Sequence, residues 1–196
     1  MDRAYILLGQ SNAARNFRNI ETMLQTEYGP STRIINCARG GHSLAQLAAY
    51  ADADIELIQT CVGDGYEFCG ILMQHGESDA RLKTPGSTYR IDMLAYVNKM
   101  RVGAGNPYMP VIYAQLGQLP ATFDPAAWEA IRQAQRDMMT GRAAFKMFTT
   151  STIGPYESGK PYCHYHDNIA DPAWIGTGYR QITYGGFRTK LVSVIE

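Results

Sequence analysis

Five short apolar runs, separated by stretches with helical spacing of their apolar residues, constrain the fold of this chain most strongly. Short apolar runs are typical of strands buried on both faces, and strands that alternate with helices form parallel sheets covered on both sides. The pattern predicts an α/β fold, a three-layer α/β/α sandwich with a five-stranded parallel sheet and right-handed crossovers. The predicted strands are Tyr5–Leu8, Arg33–Cys37, Phe68–Met73, Pro110–Ala114 and Phe145–Thr149.

Helices are predicted between these strands from spacing and capping residues. Residues 12–28 carry apolar side chains on one side, and the Gly-Pro pair at 29–30 ends that stretch. Ser43 is a candidate N-cap for a short helix, and Asp124 followed by Pro125 predicts the start of a longer one. The segment rich in Gly, Ser and Pro that follows the third strand predicts a polar loop over residues 76–87. Further helical stretches are 55–61, 91–102 and one from about residue 177 into the 190s.

Composition and charge favour a soluble globular domain. The 196 residues are 45% hydrophobic and 18% charged, with no linker, repeat or low-complexity stretch, so we expect a single domain over residues 1–196. Lys+Arg and Asp+Glu both total 18, so a net charge of zero gives no overall attraction to nucleic acid or an anionic membrane. No apolar run approaches the roughly 18 residues of a bilayer span, and the first residues lack the layout of a secretion signal.

The cysteines do not indicate a disulfide scaffold or a metal site. No CxxC pair is present, and four cysteines in a chain of this length are too few for a disulfide framework. Their spacing from the histidines gives no zinc-ligand pairs, so we expect buried free thiols and no zinc site. The four are Cys37, Cys61, Cys69 and Cys163.

Three polar loops that contain glycine follow the first three predicted strands, at residues 9–12, 38–42 and 74–79. In parallel sheets the reactive groups lie beyond the carboxyl ends of the strands, where the strand order reverses. Ser11 stands where the first strand turns into a helix. It is either an N-cap or a nucleophile beside helix N–H groups that stabilise an oxyanion. The GxSxG elbow of the usual α/β hydrolases is absent.

The other two loops add a possible backbone donor and a titratable group. Gly40-Gly41 predicts a tight turn with close backbone approach, and no GK[ST] follows it, which excludes a P-loop. His75 stands at the mouth of the third strand, where an imidazole is a candidate base or hydrogen-bond donor.

Four collinear blocks, spanning residues 5 to about 182, resemble the SGNH hydrolases. The resemblance is to the sialate O-acetylesterase-like branch, which includes plant and bacterial carbohydrate acetylesterases, and it implies a flavodoxin-like strand order. G-Q-S-N-A stands at 9–13, and R-G-G-H-S-L at 39–44 is similar to R-G-G-T-S-I of the branch. I-L-M-Q-H-G-E-S-D at 71–79 is similar to I-L-W-Y-Q-G-E-S-D, and Trp128, Arg132 and Gln135 match a W-x-x-I-R-x-A-Q helix.

The resemblance implies a serine esterase that removes O-acetyl groups from a sugar or polysaccharide through an acetyl-serine intermediate. Ser11 is then the nucleophile, and the backbone N–H groups of Ser11 and Gly41 are two oxyanion donors. The third donor of the branch is a glutamine side chain, whose position His75 occupies here, with Gln74 one place earlier. Either His75 donates through Nε2–H, or a local shift lets Gln74 do so.

The last block departs from the pattern of the branch, which is D-x-[ILV]-H followed by G-Y-R. This chain has Asp167-Asn168-Ile169-Ala170, with G-Y-R at 178–180, about three residues further downstream. In the branch the aspartate orients the histidine that takes the serine proton. Asp167 is present here, and Ala170 stands where the histidine is expected.

Three interpretations of Ala170 stay open. In the first, alanine is a laboratory replacement of the catalytic histidine. In the second, His164 or His166 is the base. In the third, the chain is a natural pseudoenzyme that binds sugars without cleaving them. A zinc site made by His164, His166 and Asp167 is the least favoured option, because the family resemblance covers the same stretch. A lipase or thioesterase of the same superfamily and a non-catalytic carbohydrate-binding module are the alternative functions.

Overall fold

The computed structural model describes residues 2–117, 122–140 and 145–149. Its strands within these ranges are β1 (Asp2–Gly9), β2 (Arg33–Asn36), β3 (Tyr66–Gln74), β4 (Val111–Ala114) and β5 (Phe145–Thr149). They form one five-stranded sheet in the order β2-β1-β3-β4-β5, and the paired strands are parallel. The predicted α/β class and parallel sheet are confirmed. The strand order reverses between β1 and β3, where sites of such folds form.

The helices of the described ranges are α1 (Ser11–Tyr28), α2 (Leu44–Ala48), α3 (Ala51–Gly63), α4 (Glu77–Arg81), α5 (Gly86–Gly103) and α6 (Pro125–Met139). The predicted polar loop over 76–87 is wrong in part, because α4 lies inside it. Gly76 turns the chain at a φ of 130°, and the acidic Glu77 and Asp79 lie in the first turn, where the helix dipole favours negative charge. Five residues are too few to show helical periodicity. The helix predicted from about residue 177 lies outside the described residues.

The predicted caps at Ser43 and Asp124 are confirmed. The Ser43 hydroxyl accepts a hydrogen bond from the Gln46 N–H, and the Gln46 side chain accepts one from the Ser43 N–H at 2.8 Å. The Asp124 carboxylate accepts from the N–H groups of Ala126 at 2.9 Å and Ala127 at 3.2 Å. Such caps stabilise a helix by about 1 kcal/mol each, so the sequence fixes where α2 and α6 begin.

Alternate residues of the strands pack into two cores on opposite faces of the sheet. Ile6 of β1 belongs to the larger core, with residues of α2 to α6, whereas its neighbours Tyr5 and Leu7 belong to the smaller one. The smaller core includes Leu24 of α1 and, against it, Phe17 of the same helix. This burial on both faces is why the strands read as continuous apolar runs.

The described cysteines are free, with Cys37 and Cys61 buried and Cys69 half-buried, whereas Cys163 lies outside the described residues. Among the helices described, none is long and apolar enough to cross a membrane.

Gly9, the last residue of β1, has no room for a side chain. It has a φ of 143°, and a Cβ there would lie 2.1 Å from the Gln74 carbonyl oxygen. We expect Gly9→Ala to destabilise the protein more than Gly29→Ala, at a φ of 104° where a Cβ meets nothing within 4 Å. Both changes carry backbone strain of about 1–3 kcal/mol, and the clash at Gly9 adds roughly 1–3 kcal/mol or more. Urea unfolding measures both losses, and equal losses would contradict the prediction.

Candidate active site

The first and third polar loops are joined by Gln10, which is 1% exposed. Its backbone N–H donates to the Gln74 carbonyl at 3.2 Å, and its side-chain oxygen accepts from the Ser78 N–H at 3.3 Å. The residue before Ser11 is thereby locked to the carboxyl end of β3 and the start of α4. These contacts bring the two loops together beyond the sheet, as the parallel topology predicts.

The second loop lies against the same point. The Arg39 N–H donates to the Gly9 carbonyl at 3.0 Å, which ties the loop to the end of β1. A Cβ built on Gly40 would lie 3.7 Å from the Ser11 Cβ, so the glycine backbone passes directly beside the serine. Gly41 follows at a φ of 74° and is exposed. The three predicted loops therefore converge at Ser11.

Ser11 is the first residue of α1 and is partly exposed to solvent. The interpretation of Ser11 as an N-cap is wrong, because Gln10 occupies the N-cap position. The N–H groups of the first turn of a helix have no partner within the helix, and they carry partial positive charge. A serine at this position places its hydroxyl next to groups that bind an anion.

Arg39 holds the second loop on α3. Its guanidinium donates two hydrogen bonds to the buried Asp54 carboxylate, at 2.9 and 2.7 Å, and a third to the Cys37 carbonyl at 2.9 Å. The Tyr96 hydroxyl donates to the same carboxylate at 3.0 Å, and the guanidinium stacks 4.3 Å from the centre of the Tyr50 ring. A bidentate arginine–carboxylate pair fixes both the position and the orientation of the guanidinium. The arginine of the R-G-G block thus anchors the glycines that follow it.

The thiol nearest this pair is not a competing nucleophile. Burial is the main cause that raises the pKa of the Cys37 thiol well above its usual range, and the Asp54 carboxylate adds to the shift. A thiol must ionise to react, so Cys37 is inert near neutral pH.

His75 is fully buried, and its ring nitrogens face protein groups. Nε2 lies 3.2 Å from the His42 carbonyl oxygen, and because a carbonyl only accepts, Nε2 carries the hydrogen. Nδ1 lies 3.4 Å from the Tyr89 hydroxyl and 3.7 Å from the Asp79 carboxylate. The Asp79 carboxylate accepts from the Leu44 N–H at 3.0 Å. The imidazole therefore lies beneath the second loop and does not line its exposed side.

The backbone carbonyl of His75 lies within hydrogen-bond distance of three side chains. They are the amide of Gln135 at 2.9 Å and the hydroxyls of Tyr113 at 3.0 Å and Tyr89 at 3.2 Å. The two hydroxyl oxygens are also 2.6 Å apart, so one tyrosine donates to the other, which donates to the carbonyl. The Gln135 oxygen in turn accepts from the Leu116 N–H at 2.9 Å. The last glutamine of the W-x-x-I-R-x-A-Q block is thus a structural residue that joins α6 to the ends of β3 and β4.

Burial favours the neutral form of both His75 and Asp79, and it therefore shifts their two pKa values in opposite directions. It lowers the pKa of His75 from 6.5 to about 4, so the ring is neutral near neutral pH. It raises the pKa of Asp79 from 3.8 to about 6, and the Asp92 carboxylate adds to this shift. Between pH 4 and 6 the folded His75 binds fewer protons than the unfolded one, which favours folding as pH rises. The folded Asp79 binds more protons than the unfolded one, which favours folding as pH falls.

These two effects are expected to cancel in the parent chain and to separate in single variants. Relative to the parent, Asp79→Asn should lose stability as pH falls from 6 to 4, because only the histidine effect is left. His75→Gln should lose stability as pH rises over the same window, because only the aspartate effect is left. Each slope is limited to about 1.4 kcal/mol per pH unit. Urea unfolding from pH 4 to 6.5 measures both, and variant curves parallel to the parent curve would contradict the burial argument.

Sequence reasoning missed Gln10, Asp54, Tyr89 and Tyr113. The glutamine of G-Q-S-N-A was available as a signal, since it directly precedes the serine. Asp54 lies 15 residues from Arg39 on an amphipathic helix, where an acidic residue is usually exposed. Tyr113 lies within an apolar strand, where a core role explains it equally well. Tyr89 lies between a threonine and an arginine, where nothing in the sequence marks it as buried.

The base side of the predicted site lies outside the described residues. Asp167, Ala170, His164 and His166 all belong to it, so their roles stay predictions. Of the predicted oxyanion donors, Ser11 and Gly41 lie on the two loops that meet at the serine, and Gln74 is a mostly buried residue at the end of β3.

A family model described as "Carbohydrate esterase, sialic acid-specific acetylesterase" matches residues 15–157, well over half of the chain. No curated protein matches the chain.

Solved structures of two esterases and of one further protein share the fold. A carbohydrate acetylesterase from Xanthomonas citri is 16% identical at a TM-score of 0.62, over 93% of this chain and 56% of that chain. A psychrotrophic esterase from Pseudoalteromonas sp. is 17% identical at 0.63, over 97% and 100%. A protein from Arabidopsis thaliana is 14% identical at 0.68, over 97% and 98%. The chain thus spans little more than half of the Xanthomonas enzyme. At sequence identities this low, the structural likeness shows the fold alone.

Proposed function

The chain belongs to the carbohydrate esterase family of sialic acid-specific acetylesterases, and from this premise we propose that it is a serine esterase that removes O-acetyl groups from a carbohydrate. The observation that carries the proposal is the position of Ser11. It is partly exposed at the N-terminus of α1, and the glycine backbone of the second loop passes beside its Cβ. A hydroxyl flanked by backbone N–H groups on two elements is suited to acyl transfer.

In the proposed reaction, the Ser11 oxygen attacks the acetyl carbonyl carbon while its proton passes to a base. The N–H groups of Ser11 and Gly41 donate to the oxyanion of the tetrahedral intermediate, and Gln74 or His75 is the predicted third contributor. The intermediate expels the sugar oxygen, which takes the proton, and leaves acetyl-serine. Water then attacks the acetyl group, acetate leaves, and the Ser11 hydroxyl is restored. No metal or organic cofactor takes part.

The base is the incomplete part of this site. We propose that the base of this enzyme is a histidine at position 170, oriented by Asp167. Because the chain carries Ala170 at that position, it is an impaired form of the enzyme. His164 or His166 is the alternative base. A chain without any base keeps the backbone oxyanion donors, so it is expected to bind an acetylated sugar even where it does not cleave it.

A substrate series tests the function. Acetate or longer acid release is measured from per-O-acetylated monosaccharides and from aryl acetate, butyrate and octanoate, with the parent chain and with Ala170→His. We expect Ala170→His to prefer acetyl esters, and sugar acetates over aryl acetate at equal concentration. Preference for the octanoate would identify a lipase or thioesterase instead. Sugar binding without turnover in any version would identify a carbohydrate-binding module and refute the esterase.

A further inference from the structure

Two buried side chains hold the second loop from below, on the side opposite to its exposed glycines. We call residues 39–44 the oxyanion loop, because it carries the proposed donor Gly41. His75 donates through Nε2–H to the His42 carbonyl at 3.2 Å, and the Asp79 carboxylate accepts from the Leu44 N–H at 3.0 Å. The two contacts fall on backbone groups two residues apart. They fix the end of the loop that leads into α2.

The other end of the loop is fixed independently. The Arg39 N–H bonds to the Gly9 carbonyl at 3.0 Å, and the Arg39 guanidinium is paired with Asp54. Only Gly40 and Gly41 lie between the two anchored ends. Among the described residues, a Cβ on Gly41 would meet nothing within 4 Å, so none of them packs against this glycine where a Cβ would stand. His42 Nδ1 lies 2.9 Å from the Gly40 carbonyl oxygen, which shares a peptide unit with the Gly41 N–H. Since glycine has the widest backbone freedom of all residues, the two anchored ends and this contact decide together where the Gly41 N–H lies.

His75 is itself rigid. Its carbonyl accepts from the Gln135 amide and from the linked hydroxyl pair of Tyr89 and Tyr113. Its ring stacks on that of Tyr89, with the ring centres 5.9 Å apart and the planes 15° apart. A support of this kind is needed for a preorganised donor, because catalytic hydrogen bonds must be held in place before the reaction.

We propose that His75 and Asp79 are positioning residues, which hold the oxyanion loop so that the N–H of Gly41, the residue after the glycine that passes beside Ser11, keeps a fixed position. The inference rests on the proposed function and decides how His75 takes part in it. The Nε2–H of His75 is engaged by the His42 carbonyl and the side chain is fully buried, so His75 acts through the loop and not by direct donation to the oxyanion.

The decisive variant is His75→Phe, which keeps a ring of similar size and removes the N–H donor. His75→Gln is the conservative variant, because its amide retains a donor for the His42 carbonyl. Val97→Ala is the matched control, a truncation of a fully buried residue on α5. Asp79→Ala tests the second contact separately, so the inference can be examined even where His75→Phe does not fold.

One readout does not depend on catalysis. Hydrogen exchange and ¹⁵N relaxation of the Gly41 amide are measured by NMR in the chain as given. We expect His75→Phe and Asp79→Ala to make the Gly41 amide more mobile, His75→Gln to restore most of its order, and Val97→Ala to leave it unchanged.

The second readout is the split between kcat and KM for an acetyl ester, in the Ala170→His background. We expect His75→Phe to lower kcat by at least about tenfold, and by no more than the roughly 10²- to 10³-fold cost of losing one oxyanion donor outright. KM should change less than about threefold, because the loop acts on the charge that develops in the transition state. Val97→Ala should leave both constants unchanged.

Failure of the inference is distinguishable from failure of the proposed function. A folded His75→Phe chain with an unchanged Gly41 amide and unchanged kcat overturns the inference and leaves the esterase intact. Loss of Gly41 order in a chain that shows no esterase activity with Ala170→His supports the loop contact and refutes the esterase. An equal loss of Gly41 order in Val97→Ala would show that the effect is general destabilisation, and it would also overturn the inference.

Discussion

Replacing Ser11 by alanine in a chain that also carries Ala170→His is expected to lower kcat for an acetyl ester by about 10⁴- to 10⁶-fold. Alanine removes the only oxygen that can form the acetyl-enzyme in the proposed mechanism. The backbone donors of α1 and of the oxyanion loop stay in place, so KM should change much less than kcat. Steady-state kinetics at saturating and limiting substrate separate the two constants.

The matched control for this prediction is Ser31→Ala. Ser31 is an exposed serine whose hydroxyl donates to the Asp2 carboxylate at 2.7 Å, outside the three converging loops. It should leave both constants unchanged. A Ser11→Ala chain that keeps more than about 1% of kcat is inconsistent with loss of a triad member, and it would remove Ser11 from the mechanism.

Placing a histidine at position 170 is expected to raise kcat of the parent chain by at least about 10³-fold. A serine hydroxyl is a weak nucleophile near neutral pH, and an imidazole oriented by Asp167 would take its proton as the attack begins. The pH profile should then show a rise through the pKa of the new imidazole. Ala170→Gln is the matched control, because it adds a polar side chain of similar reach without a base.

The alternative base gives the opposite pattern. Where His164 or His166 already serves Ser11, the parent chain is active, Ala170→His changes little, and His164→Ala or His166→Ala abolishes the activity. Rate increases with Ala170→Gln and Ala170→His alike would show that bulk at this position matters and that a base does not.

Most of the fold could be predicted from local sequence patterns. The apolar runs gave the strands because both faces of the sheet are buried, and Ser43 and Asp124 marked helix starts because their side chains satisfy free backbone N–H groups. Helix α4 could not be predicted in the same way. Its first four residues, Glu77 to Ala80, are all buried, so five residues offer no contrast between a polar and an apolar face.

The convergence of the three loops at Ser11 followed from the parallel topology alone, but the contacts within the site did not. Strand alternation gives the direction of a side chain only inside a strand, and β3 ends at Gln74, one residue before His75. The inward position of the imidazole therefore had no signal in the spacing. The pairing of Arg39 with Asp54 depends on how α3 packs against the second loop, which is tertiary information.

Covalent trapping tests the central claim most directly. The chain with Ala170→His is treated with an ethyl phosphonate ester that carries a good leaving group, digested, and analysed by peptide mass spectrometry. An acylating serine is phosphonylated on its hydroxyl oxygen, with loss of the leaving group and of the serine proton. The account predicts a single adduct on the peptide that contains Ser11, formed in step with loss of activity and absent from Ser11→Ala. Inactivation with the adduct on another residue, or full activity after treatment without any adduct, would contradict it.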